Sequence, residues 1–153
     1  MKTRRPAALA GAAVLGALAL TGCNLDKPTP IVTMVSGTTS VHSEAECYKD
    51  DGSIDEKKVD GCLNKTDGLT KLSVSEGGGF SIGVDKELAD DGWVLLVDGK
   101  PQTQSPIKTT YYSGLRLSYG TPEKESEPLL VQVVQPDGKQ GYRGVWSFKV
   151  AKK

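Results

Sequence analysis

From Leu69 onward the apolar residues recur at every second position, and that period dictates strands rather than helices. Leu72 and Val74 share a face, as do Phe80, Ile82 and Val84. Trp93, Leu95 and Val97 alternate with Val94 and Leu96, so this segment is apolar on both faces and is expected to be central. Leu115, Leu117 and Tyr119 alternate. Leu129, Val131 and Val133 alternate with Leu130 and Val134, and Trp146, Phe148 and Val150 with Ser147 and Lys149. Asp98-Gly99 and Pro136-Asp137-Gly138 supply turn chemistry between runs, because Gly tolerates positive φ and Pro presets it. Eight of the nine aromatic residues lie from Phe80 onward, which puts the core in the second half. No long amphipathic helix separates the strands, which excludes a doubly wound α/β fold. The expected fold is mainly β, an immunoglobulin-like antiparallel β-sandwich, with a small β-barrel as the alternative. Trp93 resembles the core tryptophan of immunoglobulin-like domains, although the inter-sheet cysteine pair of that family is missing.

The residues before Leu69 behave differently. Residues 31–41 are β-branched and Thr-rich and read as a strand, a break at Gly37 and a second strand. Twelve of residues 44–67 are charged, so this stretch cannot build a core alone. Ser53 followed by Glu56 fits a capping box, and Gly61 sits where a helix would stop. A short helix over residues 54–60 is expected, in an excursion from the main fold.

Residues 1–22 have the layout of a secretory leader: Lys2, Arg4 and Arg5, an uncharged Ala/Leu/Gly/Val run, then Thr21 and Gly22. The run is short for a membrane span, which needs about 20 residues. Leu20-Thr21-Gly22-Cys23 resembles the lipobox of bacterial lipoproteins. That resemblance implies a signal peptide over residues 1–22, cleavage before Cys23, and a diacylglyceryl group on its thiol. It therefore implies a protein held on the extracytoplasmic face of the cell membrane, with the membrane as its first partner. Arg4-Arg5 also resembles part of a twin-arginine export signal, without the apolar pair that usually follows; the export route stays open. Residues 23–30 would be the lipidated N-terminus and a Pro-containing tether, and residues 31–153 a single domain.

Losing Lys2, Arg4 and Arg5 leaves 16 of the 19 basic residues against 19 acidic ones, a net charge of −3. That balance argues against nucleic acid and against a polybasic grip on anionic lipid. With Cys23 modified, Cys47 and Cys62 remain. In an exported chain they are expected to form a disulfide, with a metal pair or free thiols as alternatives.

Candidate chemistry is sparse. His42 is the single histidine, and no nucleophile motif accompanies it. Asp50, Asp51, Asp55 and Glu56 suggest calcium, but counting back from Gly52 puts Lys49 and Cys47 where an EF-hand needs oxygen ligands. Asp85, Glu87, Asp90 and Asp91 form a second acidic run, read as a crossing turn. Glu76-Gly77-Gly78-Gly79 has neither the spacing nor the Lys of a phosphate loop. Tyr111 and Tyr112 should face opposite sides of a strand, one in the core and one on the surface. No catalytic, cofactor-binding or metal-ligating residue is assigned.

The segment VDKELADDGWVLLVDGK, residues 84–100, resembles small uncharacterised lipoproteins of actinobacteria, a group that implies no activity. The expected function is a non-catalytic binding or interaction module of the cell envelope, its partner an envelope protein or polymer. A single-domain binder of a small ligand or metal ion, accessory to transport, is the alternative. A carboxylate-dependent envelope hydrolase ranks third.

Overall fold

The computed structural model describes residues 27–75, 77–116 and 127–153. Strands β1 (Val32–Ser36) and β2 (Thr39–Ser43) form a hairpin. Gly37, at φ 57°, takes the first turn position, where a two-residue hairpin loop asks for positive φ. β3 (Cys47–Tyr48), helix α1 (Glu56–Leu63) and β4 (Thr70–Val74) follow, then β5 (Gly79–Val84), helix α2 (Lys86–Asp91), β6 (Val94–Val97) and β7 (Lys100–Pro101). β8 (Tyr111–Arg116), β9 (Leu129–Pro136) and β10 (Tyr142–Lys152) complete the chain.

These strands make two sheets. The first is antiparallel, in the order β2-β1-β5-β8. The second has the order β3-β10-β9-β6-β7, with β4 also paired to β10. β10 is long enough to serve two partners along one edge. Its first half pairs antiparallel with β3 and its second half parallel with β4. No ladder joins the two sheets among the described residues, so they form an open sandwich and the barrel alternative does not hold.

The core lies between the sheets. Val32, Met34, Phe80 and Ile82 come from the first sheet. Leu72, Leu95, Val131, Val133, Trp146 and Phe148 come from the second. Each fully buried side chain of this size contributes roughly 1.5–3 kcal/mol by its removal from water. Both indoles are completely buried, and each N–H finds a carbonyl, as a buried indole must. Trp93 Nε1 donates to Thr109 O at 3.0 Å, and Trp146 Nε1 to Pro30 O at 2.8 Å. Tyr112 meets Trp93 edge to face at 6.2 Å between centroids, while Tyr111 is exposed. One tyrosine is thus inside and one outside.

On β8 the alternation is interrupted. Ile82 pairs with Tyr112 and Phe80 with Leu115, so three steps on β8 match two on β5. Gly114, at φ 82°, absorbs the extra residue as a bulge. Leu115 thereby returns to the core side. Leu117 and Tyr119 lie outside the described residues.

Four sequence expectations need correction. α1 runs on through Gly61 to Leu63, with Asn64 as its C-cap. Its N-cap is Asp55, whose carboxylate accepts from Lys57 N, because Ser53 Oγ is drawn away to the Asp137 carboxylate. The second acidic run is a short helix, α2, that crosses from one sheet to the other. β6 is also not central: β9 and β10 hold the middle of their sheet, and only two-residue β7 lies beyond β6. Its second apolar face has another use.

Candidate functional site

The outer face of the six-stranded sheet is only half covered. Cys47 and Cys62 are disulfide-bonded, with Cα atoms 6.2 Å apart. The bond holds α1 against that face, where Ile54, Val59, Val134 and Val145 form a second apolar cluster. The charged excursion therefore contributes the cover of the sheet's back. Gln132, fully buried in the middle of β9, pins the arrangement. Its amide donates to Leu63 O at the end of α1 and to Ser147 Oγ on β10, both at 3.0 Å.

Beside α1 the same face is open and forms a groove of about 700 Å³. Its floor is aliphatic: Val94 and Leu96 from β6, Leu130 and Val134 from β9. The β6–β7 turn, with Asp98 and Gly99, closes one end. Asp98 (φ 47°) and Gly99 (φ 73°) adopt the two positive φ values of a type I′ turn, and Asp98 Oδ1 accepts from Leu130 N at 2.9 Å. The β9–β10 turn, with Lys139, Gln140 and Tyr142, closes the other end. Asp137 organises that turn. Its carboxylate accepts from Ser53 Oγ and from the backbone N–H groups of Lys139 and Gly141, and these bonds hold its pKa below the usual value. The size falls in the range of small-molecule and peptide sites. The aliphatic floor between polar ends suits the arrangement to holding an apolar surface.

The two acidic runs meet elsewhere, at the end of the sandwich where the chain enters. Lys27 Nζ bridges Glu87 at 2.7 Å and Asp50 at 3.6 Å. Tyr48 OH lies between the same two carboxylates, at 3.2 Å from Glu87 and 3.4 Å from Asp50. The hydrogen bond to Glu87 raises the Lys27 pKa. Burial, then the negative charge of Glu87, raises that of Tyr48. Arg143 ties Asp91 to the Asp50 carbonyl, and Gln135 Nε2 donates to Asp91 at 3.0 Å. Asp85 accepts from Ile31 N at 2.8 Å, and Asp90 pairs with Lys86. These carboxylates are occupied with ammonium, guanidinium, phenol and amide partners. Among the described residues, no three or more of His, Cys, Asp and Glu gather as a metal-ion site.

The remaining sequence candidates scatter. His42 is exposed on β2, where its carbonyl accepts from Thr70 Oγ1. Gly77 and Gly78 turn the chain from β4 to β5. Cys23 lies outside the described residues, as do residues 1–22. Among the described residues no helix is long and apolar enough to cross a membrane. Sequence reasoning missed the groove, although its signal was present: β6 and β9 are apolar on both faces, and the second face is the floor. No protein-family model, curated protein or solved structure matches the chain.

Proposed function

We propose that this protein is a lipid-anchored, non-catalytic binding module on the extracytoplasmic face of the cell membrane. Cys23 carries the diacylglyceryl anchor, and the outer groove of the six-stranded sheet receives an extended segment of an envelope protein. The observation behind the binding role is the groove itself: an aliphatic floor kept open beside a disulfide-held helix. Its direction along the strands suits an extended chain, whose side chains alternate toward Val94, Leu96, Leu130 and Val134. Sugar polymers prefer flat aromatic platforms, and Tyr142 at the rim is the one aromatic lining residue. One signal supports the anchor: the lipobox resemblance at Leu20-Thr21-Gly22-Cys23.

A photoreactive amino acid at Leu96, in protein expressed in its own envelope, tests the groove. A discrete protein adduct from Leu96, and none from exposed Ser40 on the other sheet, is expected. Equal yields from both positions would refute the assignment. For the anchor, Cys23→Ser should release the protein from the membrane fraction.

The second reading, a small apolar ligand in the same groove, draws on the groove's size and its aliphatic floor of Val94, Leu96, Leu130 and Val134. Thermal stabilisation by an envelope lipid extract, with no protein adduct at Leu96, would favour it.

A further inference from the structure

The segment before β1 reads from sequence as a short stiff tether, and residues 27–30 are moreover fastened to the domain. Pro30 is buried, and its carbonyl accepts the indole N–H of Trp146 in the core at 2.8 Å. Gly144, next to that ring, has no Cβ, and any Cβ there would overlap the indole. One residue on, Ile31 N is held by Asp85. Lys27 closes the strap on Glu87 and Asp50. The Lys27 pairs are exposed and individually weak. The Trp146 bond is buried and does not depend on salt.

Cys23 precedes Lys27 by four residues, which span at most about 14 Å fully extended. β10 is 11 residues long, about 35 Å at its ordinary rise. The slack between anchor and strap is thus much shorter than the sandwich. The strapped end is defined by register. Val32, Val84, Val94 and Val134 all lie toward it, together with α2 and the β9–β10 turn; the Asp98-Gly99 turn lies at the opposite end.

We propose that the strap makes this end of the sandwich a lipid-facing surface: the β9–β10 turn with Lys139 rests at the bilayer headgroups, and the Asp98-Gly99 turn points away. The inference rests on the anchoring of Cys23 proposed above and adds an orientation to it. The groove then stands upright on the membrane, with Tyr142 at its foot and Asp98 at its top, and opens sideways toward neighbouring envelope proteins. The partner surface is the bilayer itself. Acidic Asp50, Asp51, Asp137 and Glu87 at this end give basic residues no majority, so the strap sets the orientation and attraction to anionic lipid does not.

The test uses the fully processed protein in vesicles of phosphatidylethanolamine and phosphatidylglycerol, with a photoreactive amino acid at Lys139 or at Lys100. Co-flotation is measured first. A protein that does not float overturns the anchor, and the orientation falls with it. For a floating protein, Lys139 should yield roughly tenfold more lipid adducts than Lys100, because Lys100 lies level with Val131, about 17 Å of strand short of Pro136 and the turn that carries Lys139. Equal yields, or more from Lys100, would overturn the strap while leaving the anchor intact. A flexible Gly/Ser insertion of about 12 residues between Leu25 and Asp26 adds a root-mean-square reach of about 20 Å and should erase the difference without changing flotation. If the difference survives that insertion, the short strap is not its cause.

Discussion

Leu95 and Leu96 are neighbours in sequence and opposites in circumstance. Leu95 points into the sandwich and is completely buried, while Leu96 points outward onto the floor of the groove and is half covered. The same contrast separates Val133 from Gln132 on β9: the inner residue packs against the other sheet, and the outer one fastens α1. Both faces are apolar, but a full layer closes only the inner one. Apolar alternation specifies a strand pair equally well on either side. What distinguishes folding surface from binding surface is whether the chain supplies a second layer. Here that layer is a whole sheet on the inside and eight helical residues on the outside.

The contrast can be broken by mutation. Leu95→Ala should destabilise the domain by about 2–5 kcal/mol, read as a fall in the urea midpoint, since it opens a cavity in a closed layer. A loss under about 1 kcal/mol would mean that the inner face is not tightly packed. Replacing Cys47 and Cys62 together by Ser should cost on the order of 3 kcal/mol, because their loop closes 15 residues of sequence separation. Guanidinium unfolding with and without reductant checks the same quantity. Gln132→Leu strands the Leu63 carbonyl and Ser147 hydroxyl and should cost about 1–3 kcal/mol, accompanied by faster amide exchange across α1. Leu96→Ala removes partly exposed surface and should cost about 1 kcal/mol or less, while sharply reducing partner capture.

The smallest effect concerns pH and the turn at the foot of the groove. The Asp137 carboxyl has a lowered folded pKa, so the unfolded chain binds more protons in the acid range. Its contribution is fully present above the unfolded value, about 3.9, and disappears as pH falls through the folded value. Wild type should exceed Asp137→Asn in stability at neutral pH, and the gap should close at pH values below about 4. A gap that widens on acidification would reverse the sign of this account.

The sandwich was legible because alternation and turn chemistry are local: the Asp98-Gly99 pair alone dictates a hairpin between β6 and β7. The disulfide was legible because setting Cys23 aside leaves only Cys47 and Cys62 to pair. What stayed hidden depends on partners distant in sequence. Ser53 looks like a helix cap until Asp137, 84 residues away, claims its hydroxyl. The parallel pairing of β4 with β10 and the meeting of the two acidic runs around Lys27, Tyr48 and Arg143 are tertiary facts of the same kind. The groove is intermediate: its floor was visible as excess apolarity on β6 and β9, but its openness depends on where α1 ends.

The measurement that bears most directly on the binding role places a photoreactive amino acid at Tyr142, on the groove rim, and compares adduct yield with and without Leu96→Glu in intact envelopes. The added carboxylate on the floor should abolish the adduct while the urea midpoint of the purified domain stays close to wild type. An undiminished adduct in a folded Leu96→Glu protein would mean that the partner is not seated on the groove floor.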